Sequence, residues 1–297
     1  MDINDLHEAV LEKASEKINP AGEKYKSLSL AAAFELARRF KLAGRYIEIA
    51  ALEAEVIPER YQRSMGCLGY EGQKKLLSSS VGLVGAGGLG GFVIELLARM
   101  GAGRLVVIDE DTFSDSNLNR QLLAVESALG KSKTGEAIRR AADINSSVQV
   151  EGHHCRGVHS NMVDIFKDCD LIIDCLDNLP SRFDLEKVCG ELNLTMVHGA
   201  IAGFIGQVAV IRPERPLLSS IYGQVKESGA KQGVELQLGN PAFTPAMLAS
   251  FQCSEAVKIL AGLEGVLPED RLLIIDMQTG TSYQVDVGGR AAKNDDG

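Results

Sequence analysis

A glycine-rich segment between a strand and a helix is the feature that most limits how this chain can fold. It reads Gly85-Ala-Gly87-Gly-Leu-Gly90, after an apolar run at residues 80–84 and before a helical pattern at residues 89–100. Glycines in this context let the backbone approach a phosphate, and the N–H groups and dipole at the start of the helix favour an anion. The segment therefore predicts nucleotide binding, and the alternative is a tight turn without a ligand.

A single carboxylate follows at the position where a nucleotide ribose is usually bound. Asp109 ends a strand predicted over residues 105–109, 19 residues after Gly90. An acidic residue at this place accepts hydrogen bonds from ribose hydroxyls. NAD, FAD and ATP all contain such a ribose, so Asp109 and the glycines predict the fold and a nucleotide but not the reaction.

Polar and basic side chains after Asp109 favour a triphosphate over a dinucleotide. They are Asn117, Arg120 and Lys133, the last at the start of a predicted helix. The pyrophosphate of NAD needs little beyond the glycine segment, whereas a triphosphate carries more charge and suits guanidinium and ammonium groups. We therefore expect these three residues to bind ATP. The alternative is that Arg120 and Lys133 are solvated cations at helix ends, which is the role that we expect for Lys131.

A second acidic position follows the apolar strand that is predicted at residues 171–175. Asp177 and Asn178 come directly after it, ahead of a helix predicted over residues 182–192. Ligands of open α/β sheets bind outside the carboxyl ends of the strands, and a carboxylate is a ligand that Mg²⁺ prefers. Asp177 is therefore a candidate Mg²⁺ ligand. The alternative is helix capping by Asp177 or Asn178, and the two roles are compatible.

The order of apolar and amphipathic segments predicts an α/β fold. Beyond those given above, the expected elements are a helix at residues 133–144, strands at 148–154, 195–199, 207–211, 272–276 and 282–287, and a helix at 246–260. Apolar strands separated by helices indicate a Rossmann-like, open, mostly parallel sheet with helices on both faces. The last two strands predict an antiparallel hairpin. The long segment 213–245 is expected to be functional or mobile.

Residues 1–58 differ in character from the rest and are predicted to form an N-terminal helical extension. Apolar residues recur at helical spacing between residues 28 and 52, Gly44 divides this pattern into two helices, and Pro58 marks a boundary. We assign residues 59–290 to an ATP-binding domain and residues 291–297 to a tail. The extension is interpreted as the end of a helical bundle or a dimerisation arm, with docking of a partner as the alternative.

Charge and composition narrow the range of partners. The 297 residues have a net charge of −9, no Trp and only 5% aromatic residues. Without a basic surface signal, a nucleic-acid partner is not expected. The six cysteines are scattered without a C-x-x-C pair, which is typical of a reducing cytoplasm. Neither a signal peptide nor an apolar run long enough for a membrane span is found, so we expect a cytoplasmic protein without a membrane partner.

Six motifs occur together in an order that is typical of one family. They are Arg60-Tyr-Gln-Arg63, residues 85–90, Asp109-Glu-Asp-Thr with Ser116-Asn-Leu-Asn-Arg120-Gln, Gly130-Lys-Ser-Lys133, Cys175-Leu-Asp177-Asn178 and Ser254-Glu-Ala-Val-Lys258. Over roughly residues 59–287 the chain resembles the ThiF/MoeB/HesA family of ubiquitin-activating-enzyme-like adenylyltransferases. Chance similarity does not account for six ordered motifs.

The resemblance implies a reaction and a partner. ATP with Mg²⁺ binds at the glycine segment, and a small β-grasp sulfur-carrier protein, similar to ThiS or MoaD, presents its C-terminal Gly-Gly carboxylate. The carboxylate attacks the α-phosphate, pyrophosphate leaves, and an acyl-adenylate remains. The pathway implied is thiamin, molybdopterin-type or another sulfur-requiring biosynthesis.

The resemblance also implies residue roles, by position in the motifs. Asp109 would bind the ribose, Asn117, Arg120 and Lys133 would bind phosphates, and Asp177 would bind Mg²⁺. Arg63 matches an arginine that reaches into the neighbouring subunit's site, which implies a homodimer. No general base is needed, because the attacking carboxylate is already ionised at neutral pH.

Two departures from the family pattern set further expectations. Many members bind a structural zinc through two C-x-x-C pairs, but the first expected place here is Leu217-Leu-Ser-Ser-Ile-Tyr-Gly223 and the C-terminal tail contains no cysteine. We therefore expect no structural zinc. Residues 213–245 also lack the loop cysteine of some relatives, and Cys253 is expected in the core. The reaction is thus expected to stop at the adenylate, with sulfur supplied by another enzyme.

Several alternatives remain open at this point. Within enzymes, the chain could resemble the tRNA-modifying dehydratase branch, or it could be an NAD-dependent oxidoreductase, which would leave Arg120, Lys133 and Asp177 without a role. A scaffold that binds nucleotide and carrier without turnover is a third possibility. His153, His154, Cys155 and His159 could form a metal site, although adjacent strand residues point to opposite faces. His198 is expected to be a packed histidine.

Overall fold

The extension at the N-terminus combines helices with a small sheet. The structure, a computed structural model, describes residues 3–223 and 238–288. The extension contains α1 (Ile3–Lys13), β1 (Ser15–Ile18), β2 (Lys24–Leu28), α2 (Leu30–Phe40), α3 (Gly44–Glu53) and β3 (Val56–Pro58). Strand β2 pairs antiparallel with β1 and parallel with β3.

The purely helical prediction for residues 1–58 is therefore wrong in part. The division into two helices near Gly44 is confirmed, because α2 ends at Phe40 with Lys41 as a left-handed C-cap (φ of 54°), and α3 begins at Gly44. Strands β1 and β2 were missed because they are short and mostly polar, and β3 because it has only three residues. Every residue of β1 is exposed, so its sequence lacks the alternation that identifies a half-buried strand.

The remaining chain forms the main α/β unit. It begins with a 3-10 helix (Glu59–Ser64) and continues with α4 (Met65–Ser78), β4 (Ser80–Val84), α5 (Gly88–Met100), β5 (Arg104–Ile108), α6 (Lys133–Ile144), β6 (Gln149–His153), α7 (His159–Phe166), β7 (Leu171–Asp174), α8 (Leu179–Leu192), β8 (Thr195–Ala202), β9 (Ile205–Ile211), α9 (Leu218–Tyr222), α10 (Phe243–Ala261), β10 (Arg271–Asp276) and β11 (Thr281–Asp286). Helices α4, α7 and α9 were not predicted.

An eight-stranded sheet organises this unit, with the strand order β11-β10-β9-β8-β7-β4-β5-β6. The five strands β6, β5, β4, β7 and β8 are mutually parallel, whereas β9, β10 and β11 continue the sheet antiparallel. The chain leaves β4 toward β5 and β6 and later returns to the other side of β4 with β7. This reversal opens a crevice at the carboxyl ends of β4 and β7, where open α/β sheets bind ligands.

Helices cover both faces of the sheet, as the sequence predicts. On one face, α5 and α10 bury residues such as Leu97 and Leu248 in the larger hydrophobic core. On the other, α7 and α8 bury Phe166 and Val188 in a second core. None of the helices within residues 3–223 and 238–288 combines the length and the apolarity that crossing a membrane requires.

A buried polar cluster joins the extension to the α/β unit. Glu48 of α3 is 1% exposed, accepts a hydrogen bond of 3.0 Å from the Tyr61 hydroxyl, and forms an ion pair of 3.3 Å with Arg60. Asn145, after α6, donates to the Tyr61 oxygen over 2.9 Å. Burial raises the pKa of Glu48, although Arg60 opposes this effect. The domain boundary near residue 58 stays a prediction.

Candidate nucleotide-binding site

The glycine loop between β4 and α5 has room for little besides glycine at two positions. Gly85 has a φ of +100°, and a Cβ atom there would lie 2.6 Å from the carbonyl oxygen of Cys175. A Cβ atom at Gly90 would lie 1.9 Å from the carbonyl oxygen of Gly85. Between these two positions, Gly87 is the N-cap residue of α5. The loop therefore has the strand–turn–helix context from which the sequence predicts phosphate binding.

Asp109 follows β5 and fixes the glycine loop through its carboxylate. Its Oδ2 atom accepts a hydrogen bond of 2.7 Å from the Ala86 N–H, and Oδ1 accepts one of 2.8 Å from the Asp111 N–H. A carboxylate oxygen has two acceptor sites, so each atom can still accept a ribose hydroxyl. Asp109 thus lies at the predicted place and has a structural role that the sequence did not reveal.

Lys133 is a buried cation at the first turn of α6. Its side chain is 7% exposed, and its Nζ atom lies 2.8 Å from Asp111 Oδ2. Its backbone N–H also donates to the Asp111 carbonyl oxygen over 3.0 Å. Buried charges need a partner, so this is not the solvated cation of the alternative interpretation. Lys131, by contrast, is 56% exposed, as expected.

A turn between β5 and α6 presents Arg120. Asn117 builds this turn, because its buried side chain accepts a hydrogen bond of 3.0 Å from the Ser114 N–H. The Arg120 Nη1 atom donates to the Ser116 carbonyl oxygen over 2.8 Å and to Asn119 Oδ1 over 3.0 Å. The guanidinium is therefore held by its own turn. The predicted role of Asn117 and Arg120 in phosphate binding stays a prediction.

Two contacts bring these segments together at the glycine loop. The side-chain amide of Gln121 lies over the loop, with Nε2 3.5 Å from the position of a Cβ atom at Gly87. Gln121 is buried, and its carbonyl oxygen has no hydrogen-bond partner among the described residues. Sequence reasoning missed this residue, although it directly follows Arg120. On the other side, the turn after β7 touches the loop through Cys175 and Gly85.

Asp177, in that turn, offers a free carboxylate. Asn178 is the N-cap of α8 and accepts a hydrogen bond of 3.0 Å from the Ser181 N–H, so the capping role belongs to Asn178. Asp177 is exposed, and the one hydrogen bond that it accepts from the described residues comes from Asn178 Nδ2 over 3.4 Å. Its oxygens are therefore available to a Mg²⁺ ion, which prefers oxygen ligands.

Below this turn lies a buried polar network that the sequence did not predict. Asp174 and His198 are both fully buried, and His198 Nδ1 lies 2.6 Å from Asp174 Oδ2. Arg182 Nε lies 3.4 Å from the same oxygen. The Tyr222 hydroxyl lies 2.9 Å from His198 Nε2, 3.2 Å from Arg182 Nη1, and also contacts Gln207. The expectation of a packed His198 is confirmed.

Burial and the charged partners set the ionisation of this network. Burial acts to raise the pKa of Asp174, but Arg182, His198 and the Leu176 N–H outweigh it and lower that pKa. Burial lowers the pKa of His198, although Asp174 opposes this effect. The network therefore contains an ionised Asp174 and a neutral His198. Asp174 is fully buried and already paired, so its carboxylate is poorly placed for a metal ion, whereas that of Asp177 is exposed.

The remaining candidate residues lie outside the site. His153 contacts Glu151, and His159 contacts Glu191. Within the described ranges, no three His, Cys, Asp or Glu side chains are grouped so that they could hold a metal ion. Cys253 is buried as expected, and burial raises its pKa.

The place of the first expected cysteine pair lies at α9. Leu217 and Leu218 are buried there in the second core. The absence of structural zinc stays a prediction, because residues 224–237 and 289–297 lie outside the described part of the chain.

Arg63 is not part of the site in a single chain. It is exposed in the 3-10 helix at Glu59–Ser64 and forms no hydrogen bond or ion pair with another of the described residues. This placement leaves the guanidinium available to a neighbouring molecule.

Comparison with known proteins identifies the family of the chain. The profile of the ThiF family matches residues 61–295. The chain belongs to the ThiF family. It is 36% identical over 220 residues to the SAMP-activating enzyme E1 of Haloferax volcanii, which covers 73% of this chain and 81% of that protein. It is 34% identical over 213 residues to the sulfur carrier protein adenylyltransferase of Thermus thermophilus, covering 69% and 78%.

Other comparisons bear on length and fold. The chain spans about half the length of several other curated relatives that it matches. The crystal structure of E. coli MccB with MccA-N7isoASN superimposes with a TM-score of 0.69 at 19% identity, over 78% of this chain and 73% of that one. This likeness confirms the predicted fold class, a mostly parallel sheet with antiparallel C-terminal strands.

The buried network predicts how stability changes with pH. Because the pKa of His198 is lowered in the folded protein, the unfolded chain binds a proton at this residue first, as the pH falls through about 6.5. The free energy of unfolding is then lost below that pH, by up to about 1.4 kcal/mol per pH unit. Asp174 adds a loss of the same sign only below about pH 4.

We expect His198→Gln to reduce the slope of the free energy of unfolding against pH between about pH 6.5 and pH 5. Urea unfolding at a series of pH values measures the slope for the wild type and for the variant. The comparison uses slopes, because the variant also loses stability at every pH. Two parallel profiles would show that His198 does not titrate as described.

Proposed function

We propose that this chain adenylates the C-terminal Gly-Gly carboxylate of a small ubiquitin-like sulfur-carrier protein, with ATP as the second substrate and pyrophosphate as the product. The observation that carries the proposal is the buried ammonium of Lys133, which pairs with Asp111, two residues from the carboxylate that fixes the glycine loop. An NAD site has no need of such a cation, whereas a triphosphate does. The names of the Haloferax and Thermus relatives support the same activity.

The residues of the site fit this chemistry. An oxygen of the carrier carboxylate donates its electron pair to the α-phosphorus, the bond from that phosphorus to the bridging oxygen breaks, and pyrophosphate leaves with the bonding electrons. Both reactants are anionic, so cations stabilise their approach and the leaving group. Lys133 and Arg120 would supply that charge, and Asp109 would bind the ribose. No residue needs to remove a proton from the carboxylate.

Asp177 would hold Mg²⁺, because it is an exposed carboxylate next to the glycine loop with its oxygens available. When bound, Mg²⁺ would neutralise phosphate charge and make the phosphorus easier to attack. Asp174 is poorly placed for this role, since it is fully buried and its carboxylate already pairs with Arg182, His198 and the Leu176 N–H.

A cytoplasmic location fits the cysteines, all six of which are free thiols. A separate sulfur donor enzyme would act after the adenylate, because residues 213–245 contain no cysteine. Burial also raises the pKa of Cys253, Cys189 and Cys175.

Pyrophosphate exchange tests the proposed reaction. The protein is incubated with Mg-ATP, labelled pyrophosphate and candidate carriers that end in Gly-Gly. We expect carrier-dependent exchange, and we expect Arg120→Ala to lower it at least about 100-fold, the usual loss when one preorganised group is removed from a charged transition state. Arg139→Ala, which removes an exposed guanidinium from α6, is the matched control and should exchange normally.

The other outcomes identify the alternatives. Near-normal exchange by Arg120→Ala would refute the role of that residue. Binding of ATP and carrier without exchange would indicate a scaffold, and quenching of NADH fluorescence without exchange would indicate an oxidoreductase. Exchange that depends on RNA and not on a carrier would indicate the dehydratase branch.

The homodimer and the role of Arg63 are tested together by mixing variants. If Arg63 acts in the neighbouring subunit's site, Arg63→Ala and Asp177→Asn proteins are each inactive alone. Mixed dimers then contain one site with both residues intact. We expect exchange activity to return when the two variants are unfolded, mixed and refolded together. No recovery, although mixed dimers form, would place Arg63 outside the neighbouring site.

A further inference from the structure

We propose that His198 and Tyr222 are positioning residues that fix the backbone of Leu176, and through it the Asp177 carboxylate, at the glycine loop. This inference rests on the proposed function, because it takes Asp177 to be the Mg²⁺ ligand. Neither residue is near enough in sequence to Asp177 to suggest such a role. The geometry of the buried network suggests it.

Both backbone groups of Leu176 are bonded to that network. Its N–H donates to Asp174 Oδ1 over 2.9 Å, and its carbonyl oxygen accepts from Arg182 Nη2 over 2.5 Å. Arg182 Nη2 also donates to the Gly199 carbonyl oxygen of β8 over 3.2 Å. The residue just before Asp177 is therefore held by two side chains, and the position of Asp177 follows from theirs.

His198 and Tyr222 hold these two side chains in turn. With His198 neutral, its Nδ1–H donates to Asp174, and its Nε2 atom accepts the proton of the Tyr222 hydroxyl. The Tyr222 oxygen then accepts from Arg182 and from Gln207. The His198 Nδ1–H, the Tyr222 hydroxyl and both Arg182 Nη atoms thus have acceptors, whereas Arg182 Nε makes only the 3.4 Å ion-pair contact with Asp174 Oδ2. These bonds fix the orientation of the carboxylate and of the guanidinium.

Close packing of the turn after β7 against the glycine loop links the orientation of Asp174 and Arg182 to the position of Asp177. The Cys175 carbonyl lies so near Gly85 that a Cβ atom there would be 2.6 Å away. The turn that contains Leu176 and Asp177 therefore packs closely against the loop. If Arg182 lost its bond to Tyr222, the Leu176 carbonyl would lose part of its support, and Asp177 would take up a wider range of positions.

Phenylalanine at position 222 removes the hydroxyl and keeps the ring. Some groups orient a metal ligand without contacting the metal, and their loss typically lowers metal affinity by about 10- to 100-fold. We therefore expect Tyr222→Phe to weaken Mn²⁺ binding about 10-fold. The affinity is measured by electron paramagnetic resonance of free Mn²⁺ in the presence of α,β-methylene ATP. Gln207→Leu, at a half-buried position, removes one of the three side-chain contacts of the Tyr222 hydroxyl. This variant should weaken Mn²⁺ binding by less than Tyr222→Phe, and it tests the inference even if Tyr222→Phe does not fold.

Tyr61→Phe is the matched control. Its buried hydroxyl bonds two side chains, Glu48 and Asn145, but it lies in the cluster that joins the extension to the α/β unit. Tyr61→Phe should lose about as much thermal stability as Tyr222→Phe, and it should bind Mn²⁺ with the affinity of the wild type.

The outcomes separate this inference from the proposed function. Wild-type protein that binds no Mn²⁺ with the nucleotide would overturn the role of Asp177 and this inference with it. Binding that is lost in Asp177→Asn but unchanged in Tyr222→Phe and Gln207→Leu would overturn the inference alone. An equal loss of affinity in Tyr61→Phe and Tyr222→Phe would also overturn it, because the effect would then be general destabilisation.

Discussion

The ion pair between Lys133 and Asp111 is the interaction on which the site depends. A charged ammonium that is 7% exposed is stable only with a partner, and Asp111 Oδ2 provides one at 2.8 Å. Asp111 is two residues from Asp109, whose carboxylate fixes the glycine loop. One short segment after β5 therefore places Lys133, Asp109 and the glycine loop relative to one another.

The opposite side of the crevice is built from a different kind of interaction. There the turn after β7 is oriented by Asp174, Arg182 and His198, all buried between strands and helices of the second face. Buried networks of this kind are costly when one member is missing, so they fix a single geometry. A triphosphate bound between the two sides would meet a cation on one and a carboxylate with its metal ion on the other.

The sequence predicts the parts of this site that depend on neighbours along the chain. The glycine loop was identifiable because the strand, the turn and the helix are adjacent, and Asp109 because it ends the next strand. The pair of Lys133 with Asp111 and that of His198 with Asp174 join residues 22 and 24 positions apart. Such pairs arise only when the sheet assembles, so spacing cannot reveal them. Strand β1 was missed for a different reason: all of its residues are exposed, so its sequence has no apolar pattern.

The most direct test of the account compares how ATP and AMP bind when the buried cation is removed. Isothermal titration of Lys133→Gln should show ATP affinity at least about 10-fold below that of the wild type, which is about 1.4 kcal/mol. AMP affinity should change little, since AMP has no β- or γ-phosphate, and Lys131→Gln should bind both nucleotides normally. Unchanged ATP affinity in Lys133→Gln, or an equal loss for AMP, would contradict a cation that serves the triphosphate.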